Sequence, residues 1–166
     1  MIKDYVLHDE FIEYSGPFEI KELYKLLNAY FRTYHYARNE KKHFEKKTEE
    51  GRVIELELEP LKTVSDYISL RMGIDIAITN IKDISIEIKG QKQTLQQGDV
   101  SIRFRSFILK DYAETWESNP FLMFIRAVVD KFIYKTHIGE FSDELVDDTK
   151  NLQLQIKSFL NLYTRR

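Results

Sequence analysis

The 166-residue sequence has no cysteine, 6 glycines, 3 prolines and a single tryptophan. Because cysteine is absent, the chain can form no disulfide bond, no thiolate nucleophile and no cysteine-ligated zinc site. The small number of glycines and prolines argues against long disordered or low-complexity segments. We therefore expect a chain that is ordered nearly throughout and is stabilised by its core rather than by covalent links.

The sequence also lacks an excess of charge and a long apolar run. Its 27 acidic and 25 basic residues give a formal net charge of -2, which is too small for a general attraction to nucleic acid or anionic lipid. No apolar run approaches the roughly 20 residues that cross a bilayer, and the opening MIKDYVLHDE lacks the apolar segment of a signal peptide. We expect a cytoplasmic protein without a membrane span. Its usage of Lys, Glu, Ile and Tyr without Cys is also typical of thermophiles.

Length and composition indicate one domain. Hydrophobic residues make up 43% of the chain and charged residues 31%, which are ordinary values for a globular protein. A chain of this length removes roughly two-thirds of its unfolded surface from water when it folds. The sequence shows no internal repeat and no linker composition, so we predict a single domain over residues 1–166.

The clearest pattern is the alternation of apolar and polar side chains between residues 65 and 110. Apolar residues occupy every second position over 68–78 and again over 84–88, which is the period of a strand with one buried face. We predict strands at 66–79 and 82–90, joined by a tight turn at 80–82, and a further strand in DVSIRFRSFILKDY. These segments form an antiparallel meander.

Other strands come before this region. Residues 4–14 fit a strand with both faces partly covered, and RVIELELEP at 52–60 alternates apolar residues with glutamates. The Lys-rich arm at 36–46 is either an edge strand that forms a hairpin with 52–60, or a loop or frayed helix extension. Gly73, in the middle of the longest strand, is expected to mark a bend or bulge.

Three segments have the period of a helix. The first begins at Gly16 as cap and Pro17 as first helical residue, and its apolar stripe continues to Tyr34. The second, after Asn119 and Pro120, is apolar around most of its circumference to about residue 134, so we expect it to be buried on more than one side. A break at Gly139 should precede the last helix.

The last helix is predicted to run from Ser142 to about Tyr163 with a regular apolar seam. Its apolar residues recur at four- and three-residue steps, and Thr149 fills the missing place. The seam comprises Leu145, Leu152, Ile156, Phe159 and Tyr163. We interpret the stretch 145–163 either as the seam of a homodimer or as a surface that packs on the chain's own helix at 120–134.

This order of elements predicts an α+β fold. A curved antiparallel sheet of about five to six strands carries an N-terminal crossing helix and two C-terminal helices on its apolar face. The opposite face is predicted to be hydrated and to hold cross-strand ion pairs. That face comprises Glu55, Glu57, Ser69, Arg71, Asp75, Ser85, Glu87, Lys89, Arg103 and Arg105.

The same order, from the opening strand through GPFEIKEL and the meander to the closing helix, resembles the helix-grip superfamily of START-like and polyketide-cyclase-like proteins. The resemblance implies a sheet wrapped around a C-terminal helix, with a cavity for an apolar or amphipathic small molecule. The implied lining is Ile68, Leu70, Met72, Ile74, Ile76, Phe104, Phe121, Ile125, Val128 and Phe132. The alternative is that these side chains pack as core, since apolar alternation on a sheet forms core more often than pocket.

Two other functions are considered. A protein-interaction or scaffold domain with a filled core would use the C-terminal helices or the charged face of the sheet. A weak binder of nucleic acid or another anionic ligand would use the aromatic and basic residues of 32–47, although glutamates dilute the charge there and a solvated hairpin is preferred. The basic residues are Arg32, Arg38, Lys41, Lys42, Lys46 and Lys47.

No pattern in the sequence predicts a metal site, a cofactor or a catalytic centre. His8, Asp9 and Glu10 are adjacent, but neighbours on a strand point to opposite faces and cannot all converge without a sharp bend. The chain has no phosphate-binding glycine-rich loop and no nucleophile elbow. The one acidic–aromatic cluster is Asp111, Glu114, Trp116 and Glu117, which we interpret as an acidic lead-in to the next helix. We expect a protein that is not an enzyme.

Overall fold

The structure, a computed structural model, describes residues 1–110, 119–129, 131–132 and 135–164. Its helices and strands confirm the predicted α+β class. In chain order they are β1 (Ile2–Phe18), α1 (Ile20–Thr33), β2 (Glu40–Thr48), β3 (Gly51–Leu58), β4 (Leu61–Thr63), β5 (Ile68–Ile88), β6 (Gln91–Lys110), α2 (Pro120–Val129) and α3 (Lys135–Thr164).

The strands form one six-stranded sheet that is antiparallel, curved and not closed. The spatial order is β1-β6-β5-β3-β2, and β4 pairs with β5. β3 and β4 pair with successive parts of β5, because Leu58 is opposite Ile74 while Leu61 is opposite Arg71. The long hairpin of β5 and β6 is therefore the centre of the sheet.

β5 is a single strand of 21 residues, so the prediction of two strands joined by a turn at 80–82 is wrong. The register shifts between Thr79 and Lys82, and Asn80 has a φ of 54°. A β-bulge at this point therefore takes up the change in the apolar pattern without ending the strand. The predicted bulge at Gly73 is also wrong, because that residue pairs in regular register with Arg105.

β1 is longer than predicted, and α1 begins later. Pro17 pairs with Gln97 within the strand instead of opening the helix. A proline is tolerated there because β1 is an edge strand and does not need every backbone donor. The helix begins at Ile20, and its first backbone N–H donates to the Gln96 side-chain oxygen at 3.1 Å.

The Lys-rich arm forms an edge strand, which settles the alternative left open by the sequence. β2 pairs with β3 in an antiparallel hairpin, and every residue of β2 is exposed. Ion pairs join β2 to β3; for example, Lys42 Nζ lies 2.6 Å from a carboxylate oxygen of Glu55. Charged edge strands of this kind resist pairing with other chains.

α3 packs across the sheet and against α1. It spans 30 residues and passes through Gly139, so the predicted break there is wrong. The predicted seam lies on the inner face of the sheet, where α3 contacts β1, β5 and β6; Leu145, Leu152 and Ile156 are buried, and Phe159 and Tyr163 are half-buried. Leu145, Thr149 and Leu152 are each 0% exposed.

One hydroxyl pair lies inside this apolar layer. The hydroxyls of Ser106 and Thr149 are 2.7 Å apart, and Thr149 also donates to the backbone carbonyl oxygen of Leu145 at 2.7 Å. Both residues are fully buried. The pair therefore satisfies its own polar atoms where no water reaches.

The outer face of the sheet is only partly hydrated. Asp75 pairs across the strands with Arg103, as the pattern of charges predicts. Ser69, however, is 0% exposed, and its cross-strand neighbour Leu109 is 3% exposed. The prediction that Ser69 lies on the hydrated face is therefore wrong, because this end of the outer face is covered.

α2 is not buried. The predicted start is correct, since the Asn119 side chain caps the helix by accepting the Phe121 backbone N–H at 3.0 Å. However, none of the α2 residues is buried, so the expectation of a helix covered on more than one side is wrong. Among the described residues, no helix is both long enough and apolar enough to cross a membrane.

Candidate functional site

The sheet residues predicted to line a cavity are brought together on one face but are packed tightly. Ile68, Leu70, Met72, Ile74 and Phe104 are 0% exposed, and Ile76 is 2% exposed. They belong to one apolar cluster with residues of α1 and α3. These sheet residues are therefore part of the buried core that the sheet shares with α1 and α3.

The surface depressions identified in the described part of the chain lie elsewhere. They have volumes from about 230 to 810 Å³ and are lined by residues of the outer sheet face and of the strand ends. In the largest, Asp99 accepts hydrogen bonds from Ser15 and Asn80. Its carboxylate is therefore already used to join β1, β5 and β6.

The helix residues predicted to line the cavity are not brought to the sheet stripe. Phe121 is 67% exposed, Val128 41% and Phe132 68%, while Ile125 is half-buried. The predicted lining is thus divided, with its sheet half in the core and its helix half at the surface.

α2 instead presents an exposed apolar face, which we define as Phe121, Phe124 and Val128. These positions follow steps of three and four residues and so share one side of the helix. Phe124 is 68% exposed. An amphipathic surface helix normally turns such a face towards its own core.

The other side of α2 faces the rest of the chain. Leu122, Arg126 and Val129 are half-buried. Arg126 Nε donates to the Tyr67 hydroxyl at 3.2 Å. The helix is therefore held by the side that carries its charged residue, and its aromatic side is left in solvent.

The exposed apolar face is large enough to be an interaction surface. A fully covered aromatic side chain buries about 150–250 Å², so two phenylalanines about two-thirds exposed offer roughly 200–330 Å², to which Val128 adds. Patches of this size on a monomer are often functional. Within Pro120–Val129 the one charged residue is Arg126, which lies on the other side.

The basic residues of 32–47 do not converge on one site. Lys46 and Lys47 are neighbours on β2 and so point to opposite faces. Arg38 lies 2.6 Å from Glu40, and Lys42 is paired with Glu55. Arg32 lies at the end of α1, and Lys41 is 3.8 Å from Glu59. The arrangement is that of a solvated, ion-paired hairpin.

The α3 seam is already in contact with its own chain. Its buried residues lie on the sheet, while Leu154 and Leu162 on the outer side of the helix are each 62% exposed. A homodimer through the buried residues of 145–163 would require α3 to leave the sheet. That mode of pairing remains a prediction.

A polar network joins α3 to the chain around α1, and sequence reasoning missed it. The Tyr36 hydroxyl donates to Asp148 Oδ2 at 2.8 Å, and the Tyr30 hydroxyl donates to the Asp148 backbone carbonyl at 2.5 Å. Burial is the main reason that the pKa of each tyrosine lies well above its ordinary value. Both hydroxyls therefore stay protonated at neutral pH and act as structural donors. The one available signal was that Asp148 adjoins Thr149 in the seam.

Two predictions concern acidic and metal-binding side chains. Within the described ranges, no group of three or more His, Asp or Glu side chains is arranged to hold a metal ion. The acidic–aromatic cluster of Asp111, Glu114, Trp116 and Glu117 lies outside those ranges.

Comparison with known proteins assigns no family. No protein-family model matches the chain, and a search of curated proteins finds no match. The helix-grip resemblance therefore remains a prediction based on the order of elements.

Proposed function

We propose that this chain is a protein-interaction domain that forms a homodimer through the exposed apolar face of α2. The observation that carries the proposal is that the buried core cluster contains no residue of α2, while two largely exposed phenylalanines lie along one side of that helix. Contact between these rings and water is unfavourable. A partner that covers them makes the free energy of association more favourable, because it removes their apolar surface from water.

A second copy of the chain is a suitable partner. In a two-fold contact, α2 of each copy lies antiparallel to the other, so each apolar face covers its equivalent. No charged side chain lies on the face between Phe121 and Val128, and none has to be desolvated at the centre. Antiparallel helices also place opposite dipole ends side by side.

The expected dimer is of moderate affinity. Two such faces contribute roughly 400–660 Å² of aromatic surface, below the lower limit of about 1,200 Å² for standard interfaces. We therefore expect a dissociation constant in the micromolar range.

The competing functions receive less support from the described residues. A helix bound to anionic lipid carries several basic residues on its polar side, whereas α2 has Arg126 alone, which is hydrogen-bonded to Tyr67. A carrier of an apolar small molecule needs interior space, and the residues predicted to line it are packed together. Mass spectrometry of the native protein for co-purified lipid tests that hypothesis directly.

Sedimentation equilibrium of Phe124→Asp tests the proposed dimer. The change places one buried charge in each copy, and we expect it to weaken the dimer at least about 100-fold. A central hot-spot residue contributes about 2 kcal/mol or more, and the symmetric contact loses that contribution twice. The matched control is Leu154→Asp on the outer side of α3, which is similarly exposed at 62% and should leave the dimer intact.

Circular dichroism of both variants checks that the fold is retained. A wild-type chain that stays monomeric at several hundred micromolar would refute the proposal, as would a Phe124→Asp variant that dimerises normally. If the monomeric wild type instead sediments with anionic vesicles and the variant does not, the same face is a membrane surface.

A further inference from the structure

A second cluster of chemically active side chains lies on the outer face of the sheet, away from α2. A depression of about 340 Å³ opens where β1 passes beside β6, and we call it the bulge pocket. It is lined by Tyr5, His8, Asp9, Arg103 and Arg105. Nothing in the proposed dimer uses these residues.

An irregularity in β1 builds this pocket. Tyr5 pairs with Phe107, but Glu10 pairs with Phe104, so β1 takes five steps where β6 takes three. β-bulges of this kind redirect side chains and are common beside functional sites.

The irregularity changes where three neighbouring residues point. The expectation of alternating faces fails for His8 and Asp9, because the bulged backbone brings both into the same pocket. Glu10 faces α3 instead, where it accepts a hydrogen bond from Gln153 Nε2 at 2.9 Å.

Two guanidinium groups meet at the base of the pocket. Arg103 Nε donates to Asp75 Oδ2 at 2.9 Å, and Arg105 Nη2 donates to the same oxygen at 2.8 Å. One carboxylate thus holds two cations and neutralises one of them. The next acid, Asp9, has its Oδ1 4.0 Å from Arg103 Nε, which is beyond hydrogen-bonding distance.

The guanidinium of Arg105 lies flat against the neighbouring strand. A Cβ built on Gly73 would be in ordinary van der Waals contact with Arg105 Nε, at 3.4 Å. Arg105 Nε is buried and has no hydrogen-bond partner among the described residues. The outer edge of the guanidinium is therefore the part that a ligand can reach, and such a planar edge matches the geometry of an oxyanion.

The stacked rings of Tyr5 and His8, which we call the Tyr5–His8 wall, lie beside these cations. The rings of Tyr5 and His8 are stacked with centroids 5.8 Å apart, and Tyr5 also contacts Phe107 at 5.5 Å. Such a wall gives a ring of a ligand an apolar surface next to its charged group.

We propose that the bulge pocket binds a small organic oxyanion, a phosphate monoester or a carboxylate that carries a ring, through Arg103 and Arg105. Asp75 fixes the two guanidiniums, and the Tyr5–His8 wall contacts the ring. Asp9, at the rim, opposes the ligand's charge and limits its affinity.

Titration of the full-length protein with phenyl phosphate, benzoate and inorganic phosphate, followed by ¹H–¹⁵N chemical shifts, tests the site. We expect at least one of the two ring-bearing anions to bind more tightly than inorganic phosphate, with the largest shifts at the pocket residues. The comparison of phenyl phosphate with benzoate identifies the preferred oxyanion.

Two variants are expected to change the affinity in opposite directions. Arg105→Gln should weaken binding at least tenfold, whereas Arg52→Gln, an arginine of β3 outside the pocket, should not. Asp9→Asn should tighten binding two- to tenfold because it removes a repelling charge. Its control, Glu13→Gln, removes an exposed acid of the same strand that does not line the pocket.

A gain of affinity in Asp9→Asn cannot arise from a damaged fold, so the test does not depend on the stability of Arg105→Gln. The proposal is wrong if none of the three probes binds at 10 mM to either the wild type or Asp9→Asn. It is also wrong if Arg105→Gln and Arg52→Gln reduce the affinity equally, or if Asp9→Asn fails to increase it.

Discussion

Asp148 is a carboxylate held in a largely buried position. Its side chain is 13% exposed, it accepts a hydrogen bond from Tyr36, and it lies 3.8 Å from Lys62 Nζ. Lys62 is closer to Glu144, at 2.6 Å. Burial raises the pKa of Asp148, and the Tyr36 hydrogen bond and the Lys62 charge oppose that shift only in part. The carboxylate form of Asp148 is therefore less stable, relative to the protonated form, in the folded protein than in the unfolded chain.

Asp148→Asn should become more favourable relative to the wild type as the pH rises. A carboxyl whose pKa is raised by folding contributes stability below its ordinary value of 3.8, and this contribution is lost as the pH passes through the raised value. Asparagine does not titrate and can still accept the Tyr36 hydrogen bond. Urea unfolding between pH 3.5 and 7 measures the difference in the free energy of unfolding.

An exposed acid earlier in α3, Asp143, provides the control for this pH dependence. Asp143→Asn should not show the rise in relative stability expected for Asp148→Asn over the same range. If Asp148→Asn loses stability relative to the wild type as the pH rises, then Tyr36 and Lys62 outweigh burial, and the assigned cause is wrong.

Single residues show how far the sequence could predict the structure. Thr149 was correctly placed in the α3 seam, because its position follows from helical spacing alone. Its partner Ser106 is 43 residues away, and no local pattern connects the two. The same limit applies to Tyr36 and Asp148, which are 112 residues apart. Burial follows local periodicity, whereas the pairing of buried polar atoms depends on the tertiary fold.

At the scale of elements, the alternation of β5 was predictable and its continuity was not. An apolar period of two indicates a strand, but a shift of that period is compatible with a turn or with a bulge. Asn80 was interpreted as part of a turn, and the structure places it in a bulge with a φ of 54°. The strand continues because β6 pairs with it on both sides of the bulge.

The two glycine turns of the sheet should respond differently to a methyl group. Gly51 and Gly90 have φ values of 135° and 79°, so alanine is strained at both, at about 1–2 kcal/mol for a left-handed conformation. A Cβ on Gly51 would also lie 2.7 Å from the Ile81 carbonyl oxygen, while one on Gly90 would meet nothing within 4 Å. We expect Gly51→Ala to lower the free energy of unfolding by about 1–3 kcal/mol more than Gly90→Ala.

Urea unfolding of the two alanine variants measures that difference. If the two variants lose the same free energy of unfolding, backbone strain alone accounts for both losses. The contact between Gly51 and the Ile81 carbonyl oxygen would then add no cost. A larger loss for Gly90→Ala would contradict the prediction entirely.

α2 shows the limit of composition as a guide to burial. The apolar sequence FLMFIRAVV correctly predicted a helix, and the prediction of its burial was wrong. Composition could not distinguish the two cases, because a face that packs on its own sheet and a face that stays exposed can have the same residues. The core cluster of sheet, α1 and α3 residues includes no residue of α2.

The whole molecule combines a double-layered body with a protruding ribbon. β6 pairs with β1 as far as Gln96, and β5 pairs with β3 as far as Ile81. Beyond these points, β5 and β6 pair with each other over 84–95, and no other described strand pairs with this tip. Two-stranded ribbons are marginally stable on their own.

The tip and the body should therefore differ in amide hydrogen exchange. We expect the amide hydrogens of Ile74 and Ile102, at the centre of the sheet, to exchange only through global unfolding. The free energy of that opening is about 5–15 kcal/mol. Amides of 85–88 and 91–94 should open locally and exchange at least about 100-fold faster. Exchange measured residue by residue with NMR provides the comparison.

Repeating the exchange measurement with Phe124→Asp connects this prediction to the proposed dimer. The tip and α2 are separate surfaces, so tip exchange should be the same in the wild type and the variant, while α2 amides should exchange faster in the variant. Strong protection of the tip in both proteins would contradict the protruding ribbon. If the tip is protected in the wild type but not in Phe124→Asp, the dimer interface extends over the ribbon as well. The reason is that only a contact that depends on α2 can slow amide exchange both in α2 and at the tip.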